Sequence, residues 1–235
     1  MPPAVLESPT AKPKRRAAKP RARAAKATPS AANAALASPP PVEFPAPSPY
    51  NSLRMPMTRE DFESRDWNTA AGLTWKFEWN NGFAEAYEER MKSTEINFMS
   101  VLPRRFRKCK HAEEGTEMFY EVECWLEVLG VMRKPDFCVF TVEQMRAAAE
   151  GKHPVPAFVI EVLSPNDSRS HTNTKLREYF AAGVQSVWHV DPMMDTVAVY
   201  LSPTQCEVMY GDEICSAAPA YPAFSMMAKE VFAKV

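Results

Sequence analysis

Phe158-Val159-Ile160-Glu161-Val162-Leu163 sets one carboxylate inside an otherwise apolar run. An uninterrupted apolar run of this length reads as a strand covered on both faces, the kind found in sheets flanked by helices. An ionised carboxylate buried there costs several kcal/mol unless donors or a cation compensate it. Upstream, Pro135-Asp136-Phe137-Cys138-Val139-Phe140 leads a second apolar run with a second acid, and downstream Lys175 lies on a segment of helical periodicity. A divalent cation shared between Asp136 and Glu161 is the simplest compensation.

Working outward, the segment from Thr172 to Ala182 puts Leu176, Tyr179 and Phe180 on one helical face, and Gly183 supplies a left-handed stop. With Val184 to Val190 as the next strand, this gives a strand-helix-strand unit and hence parallel pairing. Thr74 to Trp79 alternates polar and aromatic residues and is followed by Asn80-Asn81-Gly82 and Phe83 to Tyr87, which predicts a hairpin with Glu78 near the end of its first strand. Further strands are expected over Met118 to Val131, Asp136 to Val142, Thr196 to Leu201 and Glu207 to Tyr210. Thr58 caps a short helix, Ser93 to Lys108 is helical until Pro103 ends or kinks it, and Ser225 to Phe232 closes the chain as a helix. The sum is an α/β fold, a mixed central sheet flanked by helices.

The charge is unevenly distributed. Residues 1 to 50 carry eight Lys/Arg against Glu7 and Glu43, a balance of +6, leaving −7 for the rest of a chain whose formal charge is −1. Ala and Pro dominate this stretch and Gly is absent, so it reads as a disordered basic tail on an acidic folded domain, residues 51 to 235. Such a tail binds nucleic acid by counterion release, or is a solvated extension. The tail lacks the apolar segment of an export signal, and no stretch approaches the roughly 20 apolar residues of a membrane span. Cys109, Cys124, Cys138, Cys206 and Cys215 are odd in number and have no CxxC spacing, which suits reduced thiols in a bacterial cytoplasm.

Asp136, Glu161 and Lys175 together make a kit for phosphodiester hydrolysis: carboxylates for a hard Mg²⁺ or Mn²⁺ ion, and a cation for the charge developing on phosphorus. The carbonyl of Val162 is a candidate third ligand. Pro135-Asp136, Glu161-Val162-Leu163-Ser164-Pro165, Lys175-Leu176-Arg177-Glu178-Tyr179, Gly183-Val184 and Trp188-His189-Val190-Asp191-Pro192 follow one another in the order that resembles the PD-(D/E)XK restriction-endonuclease-like superfamily. The pattern is most similar to its Uma-type family, over roughly Thr58 to Phe232. The resemblance implies a Mg²⁺-dependent endonuclease acting on DNA, with RNA the other substrate. Asp136 and Glu161 would bind metal, Lys175 would take the role of a lysine displaced from the strand position held by Leu163, and Glu78 would be an accessory ligand to metal or water. The chain departs from the family's pattern at Glu95, where a His is usual, and at His171, where an Asp is usual. Cutting both strands of a duplex would favour a homodimer.

Plainer readings exist for each residue. Asp136 after Pro135 suits a turn, Glu161 could pair with Lys175 or Arg177, and Lys175 alone suits a helix surface. His111, His153, His171 and His189 lack metal-ligand spacing, and Ser164 has no evident base. The run Arg104 to Lys110 reads as a solvated face or as a contact for phosphates. The rival function is a catalytically silent DNA-binding or regulatory protein on a nuclease fold.

Overall fold

The computed structural model describes residues 52–67, 75–88, 93–165 and 167–233. The expectations for the tail over 1–50, for Thr74 and for the Glu95 side chain lie outside the described residues. In chain order the elements are β1 (Ser52–Pro56), α1 (Arg59–Ser64), β2 (Trp75–Asn80), β3 (Phe83–Glu88), α2 (Ser93–Phe106), α3 (Lys110–Glu113) and β4 (Glu117–Tyr120). There follow β5 (Cys124–Leu126), β6 (Val131–Arg133), β7 (Phe137–Phe140), α4 (Val142–Ala149), β8 (Phe158–Val162) and α5 (Arg169–Ala182). The chain continues through β9 (Ser186–Asp191), β10 (Thr196–Ser202), β11 (Gln205–Tyr210), β12 (Ile214–Ala217), β13 (Tyr221–Met227) and α6 (Ala228–Val231).

The strands build a six-stranded sheet, β11-β10-β9-β8-β7-β4, a five-stranded sheet, β1-β3-β2-β6-β5, and the pair β12-β13. In the six-stranded sheet β8 and β9 run parallel and their neighbours pair antiparallel, so the expected mixed sheet is present. The parallel pair exists because α5 carries the chain back between its strands. Gly183 ends α5 at φ 107°, where Val184 N–H returns to the Tyr179 carbonyl.

Strand alternation sorts the side chains of this sheet into two layers. Phe158, Ile160, Trp188 and Val190 face a core completed by Leu102, Phe106 and Phe224, while Val159 and Val187 face Leu176 and Tyr179 of α5. Both faces are therefore dry, which accounts for the unbroken apolar runs. Glu161 follows the parity of Val159 and so lies on the α5 side.

Several expectations need correction. Helix α2 runs through Pro103 to Phe106. Phe98, Leu102 and Phe106 form its buried stripe, and that anchorage offsets the one hydrogen bond proline cannot donate. The stretch Met118 to Val131 is not one strand: it divides between the two sheets as β4 and β5, and a 3-10 turn at Glu127–Leu129 leads into β6. Gly130 closes that turn at φ +61°, its carbonyl accepts from Asn81 N–H at 3.1 Å, and a Cβ there would meet Asn81 Oδ1 at 2.8 Å. Ser225 to Phe232 begins as strand, because Ser225 to Met227 pair with β12 before α6 starts. Helix α4, opened by a capping box from Thr141 and Gln144, was masked in the sequence by its short, Ala-rich length.

Trp188 is fully buried, stacks on Phe224 at 5.6 Å, meets Phe158 edge-on at 5.1 Å and donates its indole N–H to the Ser216 carbonyl at 3.1 Å. W188A is expected to cost about 3–5 kcal/mol by the cavity it opens, and W188F less; urea unfolding midpoints measure both.

Candidate active site

The site grows from a match of register across three strands. Phe137 pairs with Ile160, so Asp136, one residue before β7, lies opposite Glu161, and Glu161 pairs in parallel with His189. Asp136 accepts from Val162 N–H at 2.6 Å through Oδ2 and from Lys76 Nζ at 2.6 Å through Oδ1. It therefore clamps the end of β8 rather than merely closing its own turn. Glu161 accepts from the Tyr179 hydroxyl at 2.6 Å.

Helix α5 supplies the rest of one wall. Its Lys175, Glu178 and Tyr179 are spaced to share a face. Lys175 Nζ pairs with Glu78 Oε1 at 2.7 Å rather than with Glu161, and sits 5.5 Å from the Tyr87 ring centroid. Arg177 is exposed. Neither partner anticipated for Glu161 forms an ion pair with it among the described residues.

Strands β2 and β6 bring the opposite wall. Lys76 and Glu78, two residues apart, point the same way. Arg133, fully buried, holds Glu78 and Glu85 at 3.0 Å each and grips Glu178 with two bonds of 2.7 and 3.0 Å. Lys134 N–H adds a third donor to Glu78 at 3.1 Å. Glu78, expected as a ligand for metal or water, has its oxygens engaged by Lys175, Arg133 and this peptide, which makes it an anchor for Lys175.

The electrostatics follow from the count. Five carboxylates, Glu78, Glu85, Asp136, Glu161 and Glu178, face three buried cations, Lys76, Arg133 and Lys175, with exposed Arg54 reaching Glu85 from the rim at 3.5 Å. Burial would raise Glu78, but the fields of Lys175, Arg133 and Lys76 hold it at about 2. Glu161 goes the other way: burial lifts it to about 7, with Asp136 adding to the rise against the pull of Lys175. Lys175 rises despite burial because Glu161 and Glu78 face it, so it stays an ammonium. His171 and His189 fall to about 4, chiefly by burial and then by Lys175, and stay neutral. Among the described residues, Nε2 of each is buried without a hydrogen-bond partner.

Among the described residues no three His, Cys, Asp or Glu side chains converge as a metal cage. The two carboxylates of Asp136 and Glu161 would suit a hard ion that takes water or substrate in its other positions. With Arg54 counted, five carboxylates face four cations, a balance that would accommodate one such cation.

An open cleft of ≈ 480 Å³ adjoins the row, lined by residues including Ser164, Asn173, His189 and Tyr200. The basic run Arg104 to Lys110 lies elsewhere. Phe106 within it packs into the core on the sheet's other face, and Arg105 pairs with Glu230.

Sequence reasoning missed Lys76, Glu85, Arg133 and the role of Glu178. Lys76 had a signal, its spacing of two from Glu78 on a strand. Arg133 had none, since only the pairing of β2 with β6 brings it to Glu78.

The raised Glu161 gives a pH prediction. The unfolded chain ionises this residue near 4.5 and the folded, metal-free chain near 7, so the folded state is penalised as pH rises between those values. E161Q escapes that penalty. Its stability relative to wild type should increase from pH 4.5 to 7, by on the order of 3 kcal/mol, and then level off, as measured by urea titration at each pH. Glu78 and the two histidines titrate in both proteins and cancel in the difference. R133M, which strands three carboxylates, should cost about 3–5 kcal/mol in the same assay.

The fold has a solved relative. The crystal structure of "a putative nuclease belonging to DUF820" from Anabaena variabilis ATCC 29413 superposes with a TM-score of 0.62 at 20% identity, covering 75% of this chain and 98% of that one. At that identity the likeness establishes a shared fold. No curated protein matches the chain. A family model described as "Putative restriction endonuclease" matches residues 72–229. That span takes in both walls of the site and most of the chain, and the protein belongs to the Uma2 family.

Proposed function

We propose that the protein is a Mg²⁺-dependent endonuclease that hydrolyses DNA phosphodiester bonds through a PD-(D/E)XK-type site. The observation that carries this reading is the pairing of Asp136 with Glu161 at one register, in a partly buried cluster of five carboxylates and, with Arg54 at the rim, four cations. Family membership and the shared nuclease fold support it.

In this reading Asp136, Glu161 and the Val162 carbonyl hold the ion, with Mn²⁺ the natural substitute. The bound ion supplies Lewis acidity to the phosphate and acidifies a water. Lys175 remains protonated and so acts as an electrostatic group, orienting the nucleophile and offsetting charge on the phosphoryl oxygens, rather than as a base. Glu78 positions Lys175, and Arg133 positions Glu78. Lys76 pairs with Asp136 at 2.6 Å and would share that carboxylate with the ion. A homodimer would present two such sites to a duplex.

The test is cleavage of supercoiled plasmid with Mg²⁺ or Mn²⁺. D136N, E161Q and K175M should each lower the rate by about a hundredfold or more while circular dichroism stays native. Undiminished cleavage by both carboxylate variants contradicts the assignment. Absence of cleavage by the wild type, with salt-sensitive DNA binding that survives D136N and weakens when residues 1–50 are deleted, would identify a silent binding protein instead.

A further inference from the structure

His189 is the third member of the register row, next to Glu161 on the adjacent parallel strand, and the proposed chemistry does not use it. It is 4% exposed, and its Nε2 has no hydrogen-bond partner among the described residues. A core histidine ordinarily finds one. The ring lies 4.8 Å from that of Tyr200, and both line the open cleft of ≈ 480 Å³. That volume falls within the roughly 300–1,000 Å³ range of small-molecule sites.

The other acids lining this cleft already have partners. Asp191 accepts from the N–H groups of Met193 and Met194 at 2.9 and 3.2 Å, and Asp167 accepts from Ser164 N–H at 2.7 Å. They hold the two loops that border the cleft, where two aromatic rings, the side chain of Asn173 and the exposed guanidinium of Arg169 are placed to meet a ligand. Flat rings and neutral hydrogen-bonding groups suit the planar base of a nucleotide, and Arg169 is the cation for its phosphate, which must lie away from the Asp167 and Asp191 carboxylates. The position agrees with this chemistry. Neighbouring strands are about 4.8 Å apart, so a polymer crossing the strand ends with a phosphate over Glu161 meets β9 and His189 next.

We propose that His189 is a substrate-contacting residue, and that the cleft it lines takes the nucleotide unit adjoining the scissile phosphate. This rests on the nuclease reading for its polymer substrate, while the nucleotide site stands on the cleft itself.

Two measurements on the full-length protein test it. The first titrates thymidine 5′-monophosphate while the ¹⁵N-imidazole signals are followed, with His189 assigned by its loss in H189N. The His189 signal should shift saturably while His111 and His153 stay still. The second is steady-state cleavage of a single-stranded oligonucleotide. H189L should raise KM about tenfold, the worth of one hydrogen bond, with kcat within a few-fold, and H189N should recover part of the loss. Thermal melts identify a variant that fails to fold, in which case the wild-type titration decides alone. Normal cleavage with an unmoved His189 signal and an unchanged KM in H189L overturns the inference and leaves the nuclease standing. No cleavage with a saturable His189 shift leaves the nucleotide site standing and removes the nuclease. Neither cleavage nor shift removes both.

Discussion

Five carboxylates crowd together where the end of β8, the strands β2, β3 and β6, and α5 meet, and most of the structure around them answers that constraint. Arg133 sits fully buried among Glu78, Glu85 and Glu178, bonds to all three and ties β2, β3, β6 and α5 together. Lys175 and Lys76 are drawn in from a helix and a hairpin strand for the same reason. Glu161 has no ion pair of its own among the described residues, and burial raises its affinity for a proton, with Asp136 adding to the rise. A buried ion cluster is a poor source of stability, because desolvation offsets most of the attraction. The proposed function gives its persistence a reason, since Asp136 and Glu161 would then hold a cation.

The fold puts this potential where a ligand can reach it. Open sheets with parallel strands bind ligands beyond the carboxyl ends of those strands. Glu161 and His189 occupy that end of β8 and β9, and Asp136 joins them because β7 runs the other way and begins there. Dry cores on both faces of the sheet hold these strands in register.

The core of this arrangement was legible in the sequence for a physical reason. A charge inside an apolar run costs so much that it is rarely accidental, and Glu161 is such a charge. The helix of Lys175 could be read from its apolar face and from Gly183, which ends it. What could not be read was everything set by pairing at a distance. Arg133 looks like an ordinary strand-end residue until β6 lies against β2, and Glu78 looks like a free ligand until Arg133 and Lys175 are seen to hold it. The five-stranded sheet was hidden for a related reason: β5 and β6 are three residues each, too short for a period-two pattern to register. Pro103 misled in the opposite direction, because a local preference was outweighed by Leu102 and Phe106 in the core.

The account depends on a cation completing the cluster, and calorimetric titration of Mg²⁺ tests this most directly, at pH 8, with a short oligonucleotide present so that phosphate ligands are available. It predicts saturable binding to the full-length wild type that disappears in the D136N/E161Q double variant while the fold persists. Equal binding to both proteins, or no binding to the wild type, would contradict it.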